Sequence, residues 1–106
     1  MNKAVQQTRR ALSATEIVTQ LSKLNGENAI GWRLIDGSLE KTFKFTDFHR
    51  TMGFANAVAY IANREDHHPD LALSYGHCTV RFNTHDVGGI SVSDFDCATQ
   101  VDALLV

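Results

Sequence analysis

The sequence predicts an α+β domain of order αββαββα, a four-stranded antiparallel sheet with its helices packed on one face. Three observations predict it. Apolar residues recur at three- and four-residue steps in three segments and alternate in four others, and the alternating segments come in adjacent pairs. With 106 residues, of which 43% are apolar and 21% charged, the chain has material for one ordinary core. The expected organisation is a flexible N-terminal tail over 1–11 and a single domain over 12–106.

The first helix opens at Ser13-Ala14-Thr15-Glu16, where Ser13 and Glu16 have capping-box spacing and Leu12 and Ile17 that of a hydrophobic staple. Ile17, Leu21 and Leu24 form its apolar stripe, and Asn25-Gly26 stops it. Trp32–Ile35 and Leu39–Phe45 then flank Asp36-Gly37, a hairpin signal. Leu39, Phe43 and Phe45 share one face of the second strand. After Thr46 or Asp47 as cap, Phe48, Met52, Ala55, Val58 or Ala59, and Ala62 take up helical spacing. Phe54, Tyr60 and Ile61 widen that stripe, so this helix is expected to be the most buried of the three. Pro69 ends it and pushes His68 towards an extended conformation. Leu71, Leu73 and Tyr75, then Cys78, Val80 and Phe82, alternate on either side of Gly76 as a second hairpin. Thr84 to Gly89 reads as a loop, and Ser91 with Asp94 as a second serine–acid cap. Phe95, Ala98, Val101 or Asp102, and Leu105 mark the last helix. An open antiparallel sheet leaves edges that invite a second copy, so a homo-oligomer is expected.

Composition excludes several classes of function. A net charge of −2 supplies no basic face for nucleic acid, and Arg9-Arg10 reads as solvation of a loose end. Two cysteines, Cys78 and Cys97, make no disulfide framework and read as free thiols in a reducing compartment. The first eight residues lack the apolar run of a signal peptide. No stretch approaches the roughly 20 apolar residues of a membrane span. The expected location is the cytoplasm.

The chemistry gathers late in the chain. Four of the five histidines fall within 19 residues, two of them adjacent in Glu65-Asp66-His67-His68-Pro69. His85 follows in Asn83-Thr84-His85-Asp86. Imidazole exchanges protons near neutrality. If the hairpin Leu71–Phe82 folds back on itself, its two ends lie together and His67, His68 and His85 converge. With Asp66, Asp86 and Asp94 nearby, such a cluster offers both a proton donor and a proton acceptor. Asp94 suits two roles, orienting an imidazole or substrate amine and capping the last helix. A metal centre is the competing use of three histidines. It is disfavoured because neighbouring side chains at an extended X-Pro junction diverge and no His-x-x-x-His or cysteine pair completes a set. His49, at a helix start, and His77, in a hairpin turn, read as structural. Phe43, Phe45, Phe48, Phe54 and Phe82 read as core; Trp32 either packs the first hairpin onto a helix, the favoured reading, or sits by the cleft.

The run His67-His68-Pro69, five residues, Tyr75, nine residues, His85, eight residues, Asp94 resembles the signature of the pterin-4a-carbinolamine dehydratases. Gly31-Trp32, Phe43-Lys44-Phe45, Phe48, Gly53-Phe54 and Gly88-Gly89 are similar to that family's pattern too, so the likeness runs from Leu12 to Ala103. The resemblance implies an αββαββα fold assembled as a dimer or tetramer, working without metal or organic cofactor. It implies dehydration of a 4a-hydroxytetrahydropterin to the quinonoid dihydropterin, the recycling step after aromatic amino acid hydroxylation, with such a hydroxylase as pathway partner. By analogy, His67 and His85 serve as acids on the pterin's two faces, and His68 binds substrate and acts as base. Asp94 joins the catalytic set; Asp66, Asn83 and Thr84 contact the pyrimidine edge, partly through backbone groups, and Asp86 joins the substrate-binding set. The family also includes a protein that stabilises dimers of a transcription factor, so a non-catalytic binding scaffold is the alternative. Three positions depart from the pattern. Asn63 stands where an acidic residue is common, Ser93 where some relatives have arginine, and Leu71 where an aromatic sometimes packs on the pterin.

Overall fold

The structure, a computed structural model, describes residues 10–27 and 30–105. In chain order the elements are α1 (Ala14–Asn25), β1 (Arg33–Ile35), β2 (Ser38–Lys44), α2 (Phe48–Glu65), β3 (Asp70–Leu73), β4 (His77–Phe82) and α3 (Val92–Ala103). A 3₁₀ turn over His85–Val87 lies inside the segment expected to be plain loop. The αββαββα order is therefore the observed one. Of the expected tail, residues 1–9 lie outside the described residues. Arg10 is no loose end: its guanidinium grips both carboxylate oxygens of Glu16, at 2.9 and 2.7 Å.

Capping chemistry starts α1 as its spacing requires. Ser13 Oγ accepts from the Glu16 N–H at 3.2 Å, and Glu16 Oε1 accepts from the Ser13 N–H at 2.8 Å. The Arg10 bond, then the backbone bond from Ser13, holds the Glu16 carboxyl down at about 2. At the other end Asn25 clamps the chain entering the sheet. Its Oδ1 accepts from Trp32 N at 2.7 Å and its Nδ2 donates to Trp32 O at 2.9 Å. A Cβ on Gly31 would sit 2.1 Å from that Oδ1, so only glycine admits the clamp. Trp32 is thereby driven into the core, edge-on to Phe43 and tilted against Phe82. Its Nε1 donates to Asp102, which also accepts from Lys41 Nζ at 2.9 Å.

The hairpin turn has positive φ at both Asp36 (50°) and Gly37 (75°), the geometry a two-residue turn of this twist needs. The sheet is antiparallel throughout, in the order β1-β2-β4-β3. Register pairs Leu39 with Phe82 and Phe43 with Cys78, which puts one face of the sheet in the core. The opposite face carries Arg33, Glu40, Arg81 and Asp70 as paired neighbours, with a Thr42–Thr79 hydroxyl bond of 2.8 Å. Charge on that face is what keeps it open to water.

The helices cover the other face and also correct three expectations. Phe48 is 49% exposed and Tyr60 is 65% exposed, so neither is core, while Phe45 is only half-buried. Both exposed aromatics lie on α2 outside its buried set of Thr51, Phe54, Ala55, Val58, Ile61 and Ala62. The shorter α3 is also the more enclosed helix, burying six of 12 residues against six of 18 in α2. Its stripe holds at Phe95, Ala98 and Val101, whereas Leu105 follows the helix end and is exposed. Enclosure between α1 and α2 buries even polar α3 side chains, which a periodicity count does not register. Among the described residues no helix is long and apolar enough to cross a membrane.

Candidate active site

Helix α2 terminates at Asp66, which adopts left-handed backbone (φ 52°, ψ 45°) and donates its N–H to Ala62 O. Aspartate tolerates this region better than most side chains. The turn reverses the chain before Pro69, and successive side chains of the extended segment then point opposite ways. His67 goes inward, 7% exposed, and His68 stays at the surface.

His67 is held on two sides. Its ring stacks on Phe82 at 5.9 Å between centroids and 12° between planes. Its Nε2 lies 2.6 Å from Asp94 Oδ1. Asp94 is completely buried at the start of α3, and its second oxygen accepts from Thr84 Oγ1 at 2.8 Å and from Ser91 N at 2.9 Å. Since Thr84 spends its one hydroxyl proton on Asp94, Ser91 Oγ must donate in the 2.6 Å bond between the two hydroxyls. A carboxylate taken out of water survives only with such partners. The two roles open to Asp94 are therefore both filled: one oxygen caps α3 and the other orients His67.

A cleft of about 290 Å³ is lined by Asp66, His67, His68, Asn83, Thr84, His85 and Asp86. The β3–β4 hairpin does bring its two ends together, and all three histidines share one cavity. Asn83 Nδ2 is tied to Ser38 Oγ at 3.0 Å, and the Thr84 hydroxyl is turned inward to Asp94 and Ser91. Asp94 itself does not line the cleft; it stands behind His67, to which it is bonded. His68 Nε2 lies 3.1 Å from Asn63 Oδ1. Asn63 was visible in the sequence only as a departure, and its contact with His68 depends on the turn at Asp66.

Behind His67 a second cavity, of about 10 Å³, is lined by Glu65, His67, Ser93, Asp96 and Cys97. Ser93 Oγ is buried there without a hydrogen-bond partner. Burial, then the Glu65 charge, raises the Asp96 carboxyl. Burial, followed by Glu65 and the aspartates beside it, pushes the Cys97 thiol up to about 12, which removes it as a nucleophile. A wider hollow between α2 and α3 is lined mainly by apolar side chains with Tyr60, Arg64 and Gln100, and offers no proton-transfer group at neutral pH. His49 and His77 lie away from the cleft; His77 opens β4, with its Nδ1 3.2 Å from Ser74 Oγ. Among the described residues no three His, Cys, Asp or Glu side chains converge with metal-holding geometry.

A sequence profile of the pterin 4 alpha carbinolamine dehydratase family matches residues 10–104. A protein of Paracidovorax citrulli provisionally named pterin-4-alpha-carbinolamine dehydratase is 54% identical over 101 residues, covering 92% of this chain and 83% of its own. A counterpart in Nitrosomonas eutropha with the same provisional name is 44% identical over 94 residues, 84% of this chain and 83% of the relative. Among solved structures, a transcriptional coactivator/pterin dehydratase from Brucella melitensis superposes with a TM-score of 0.81 at 29% identity, covering 90% of this chain and 98% of that one. A pterin dehydratase-like protein identified as a RuBisCO assembly factor in the alpha-carboxysome shares the fold, with a TM-score of 0.60 at 23% identity over 70% of this chain and 88% of that one. The match spans every element from α1 to α3 and both banks of the histidine cleft, and the chain belongs to the pterin-4a-carbinolamine dehydratase family.

Proposed function

We propose that the protein is a hydro-lyase that dehydrates a 4a-hydroxytetrahydropterin to the quinonoid dihydropterin in tetrahydropterin recycling. The observation that carries this reading is the convergence of three imidazoles on one cleft, one of them braced by a fully buried carboxylate. Loss of hydroxide from C4a needs a proton on the departing oxygen, and His67 and His85 are the assigned acids. Asp94 braces His67 from behind the cleft, its Oδ1 2.6 Å from the imidazole Nε2. The N5 lone pair forms the C4a=N5 bond as the C–O bond breaks, and His68 accepts the N5 proton. Proton gained and proton lost cancel, so water leaves without a net change of charge. Asp66, Asn83, Thr84 and Asp86 line the pyrimidine edge; the Thr84 hydroxyl is committed elsewhere, so its part is steric. This chemistry draws on no metal and no organic cofactor. The proposed setting is cytoplasmic, with an aromatic amino acid hydroxylase upstream and no nucleic-acid or membrane partner.

A second reading has its own support. Leu71 (37% exposed) and Leu73 (43%) present apolar surface on the outermost strand, with Tyr75 (69%) in the turn that follows it, an edge ready to pair. It fits a homodimer or homotetramer, and it equally fits a protein-binding scaffold of the kind the name coactivator attaches to the Brucella protein. The deciding experiment follows breakdown of a 4a-hydroxytetrahydropterin with wild-type protein, His68→Ala and His85→Ala. Wild-type acceleration that each variant reduces by about 10²-fold or more supports the enzyme. A folded wild-type protein with neither acceleration nor pterin binding overturns it in favour of the scaffold.

A further inference from the structure

Two histidines adjacent in sequence rest on chemically different supports. His67 Nε2 meets a carboxylate, Asp94, at 2.6 Å, whereas His68 Nε2 meets an amide oxygen, Asn63, at 3.1 Å. A carboxylate brings a full negative charge and so stabilises imidazolium; an amide oxygen brings only a dipole. An amide oxygen also cannot donate. The Nε2 of His68 must therefore carry the hydrogen, and in the neutral ring the lone pair falls on Nδ1.

We propose that Asn63 is a positioning residue that fixes His68 as the Nε2–H tautomer and leaves Nδ1 as the acceptor of the pterin N5 proton. The assignment of the base deepens the dehydratase reading and rests on it; the Asn63–His68 contact does not. The step balances. The N5–H bond breaks and its proton passes to His68 Nδ1, while the N5 electrons close C4a=N5. The C4a–O electrons leave on hydroxide, which takes a proton from His67 or His85 and departs as water. His68 then returns its proton to solvent, and the histidine that served as acid takes one up. The charged or titratable groups facing His68 are Asp66 and His67 from the end of α2, and His85 and Asp86 from the loop between β4 and α3. All are retained in the test.

The test is Asn63→Asp, with Asn63→Ala beside it, in protein carrying ¹⁵N-labelled histidine. A carboxylate at 63 should move the His68 titration midpoint, read by NMR, upward by about one pH unit while the His49 midpoint stays in place. The acidic limb of the kcat/KM profile should move upward by the same interval, because the base must lose its proton before it can act. Asn63→Ala should change the His68 Nε2 resonance and lower kcat more than it raises KM. Unchanged His68 midpoints and resonances in both variants overturn the contact, whatever the activity. A midpoint that moves while the kcat/KM limb stays overturns His68 as the base. A wild-type protein that does not dehydrate the pterin fails the functional reading and the base assignment with it, while the NMR titration still decides the contact.

Discussion

His67 and Asp94, 27 positions apart, meet at 2.6 Å with the carboxylate fully buried and the imidazole nearly so. This contact joins the segment that follows α2 and carries the double histidine to the helix that carries the cap. Two substitutions separate its structural and catalytic parts. Asp94→Ala strands His67, Thr84 and the Ser91 N–H at once and should cost about 3–5 kcal/mol of unfolding free energy in urea. Asp94→Asn keeps an acceptor for the cap but removes the charge beside His67. It should stay folded and lose about 10²-fold or more in kcat/KM.

The pH dependence of folding has a defined acid component at the N-terminal cap. Glu16 titrates near 2 in the folded chain, below its ordinary value of 4.5, chiefly through Arg10. A depressed carboxyl stabilises the fold above its unfolded value, and that stability drains away as pH falls from about 4.5 towards 2. Thermal melts of wild type and Glu16→Gln should therefore differ at pH 7 and converge near pH 2. High salt should shrink the difference, because the Arg10–Glu16 pair is exposed.

Asp102 should matter to stability although it is remote from the cleft. It accepts from Trp32 Nε1 and Lys41 Nζ, and only 15% of the lysine side chain is exposed. Asp102→Ala leaves a half-dry ammonium and an indole N–H without their acceptor. The expected cost is about 1–3 kcal/mol in a denaturant melt, with a red shift of the single tryptophan's emission. Dehydratase activity should be unchanged below the melting point.

The outer strand makes a prediction about assembly. Register sets Leu71 opposite Val80 and Leu73 opposite Cys78, so both leucines sit on the helix-covered side of the sheet, past the point where the helices end. A second copy pairing along β3 would cover them. Wild-type protein should sediment as an oligomer at micromolar concentration, and Leu73→Lys should shift it to monomer. A monomeric wild type would remove the proposed homo-oligomer.

The capping boxes at Ser13 and Ser91 and the Asp36-Gly37 turn were legible because each is set by residues no more than four apart. The convergence of the histidines was legible for a related reason: a short antiparallel hairpin must return to where it started. Phe48 and Tyr60 were misread because periodicity marks a stripe without saying how much of it a neighbour covers. Lys41 lies between Leu39 and Phe43 on the buried side of β2, where Asp102, 61 positions on, and the face of the Phe43 ring receive its ammonium.

What the chain's order of residues determined by itself was local: where each helix begins, where each strand turns, and which side chains able to move protons stand at the ends of the second hairpin. What only the tertiary structure decided was partnership, namely a carboxylate for His67, an amide for His68 and an inward hydroxyl for Thr84. The physical reason is range. Caps and turns are selected by bonds within a few residues, whereas the environment of a titratable group depends on burial and on charges brought near it by packing, which no local pattern encodes.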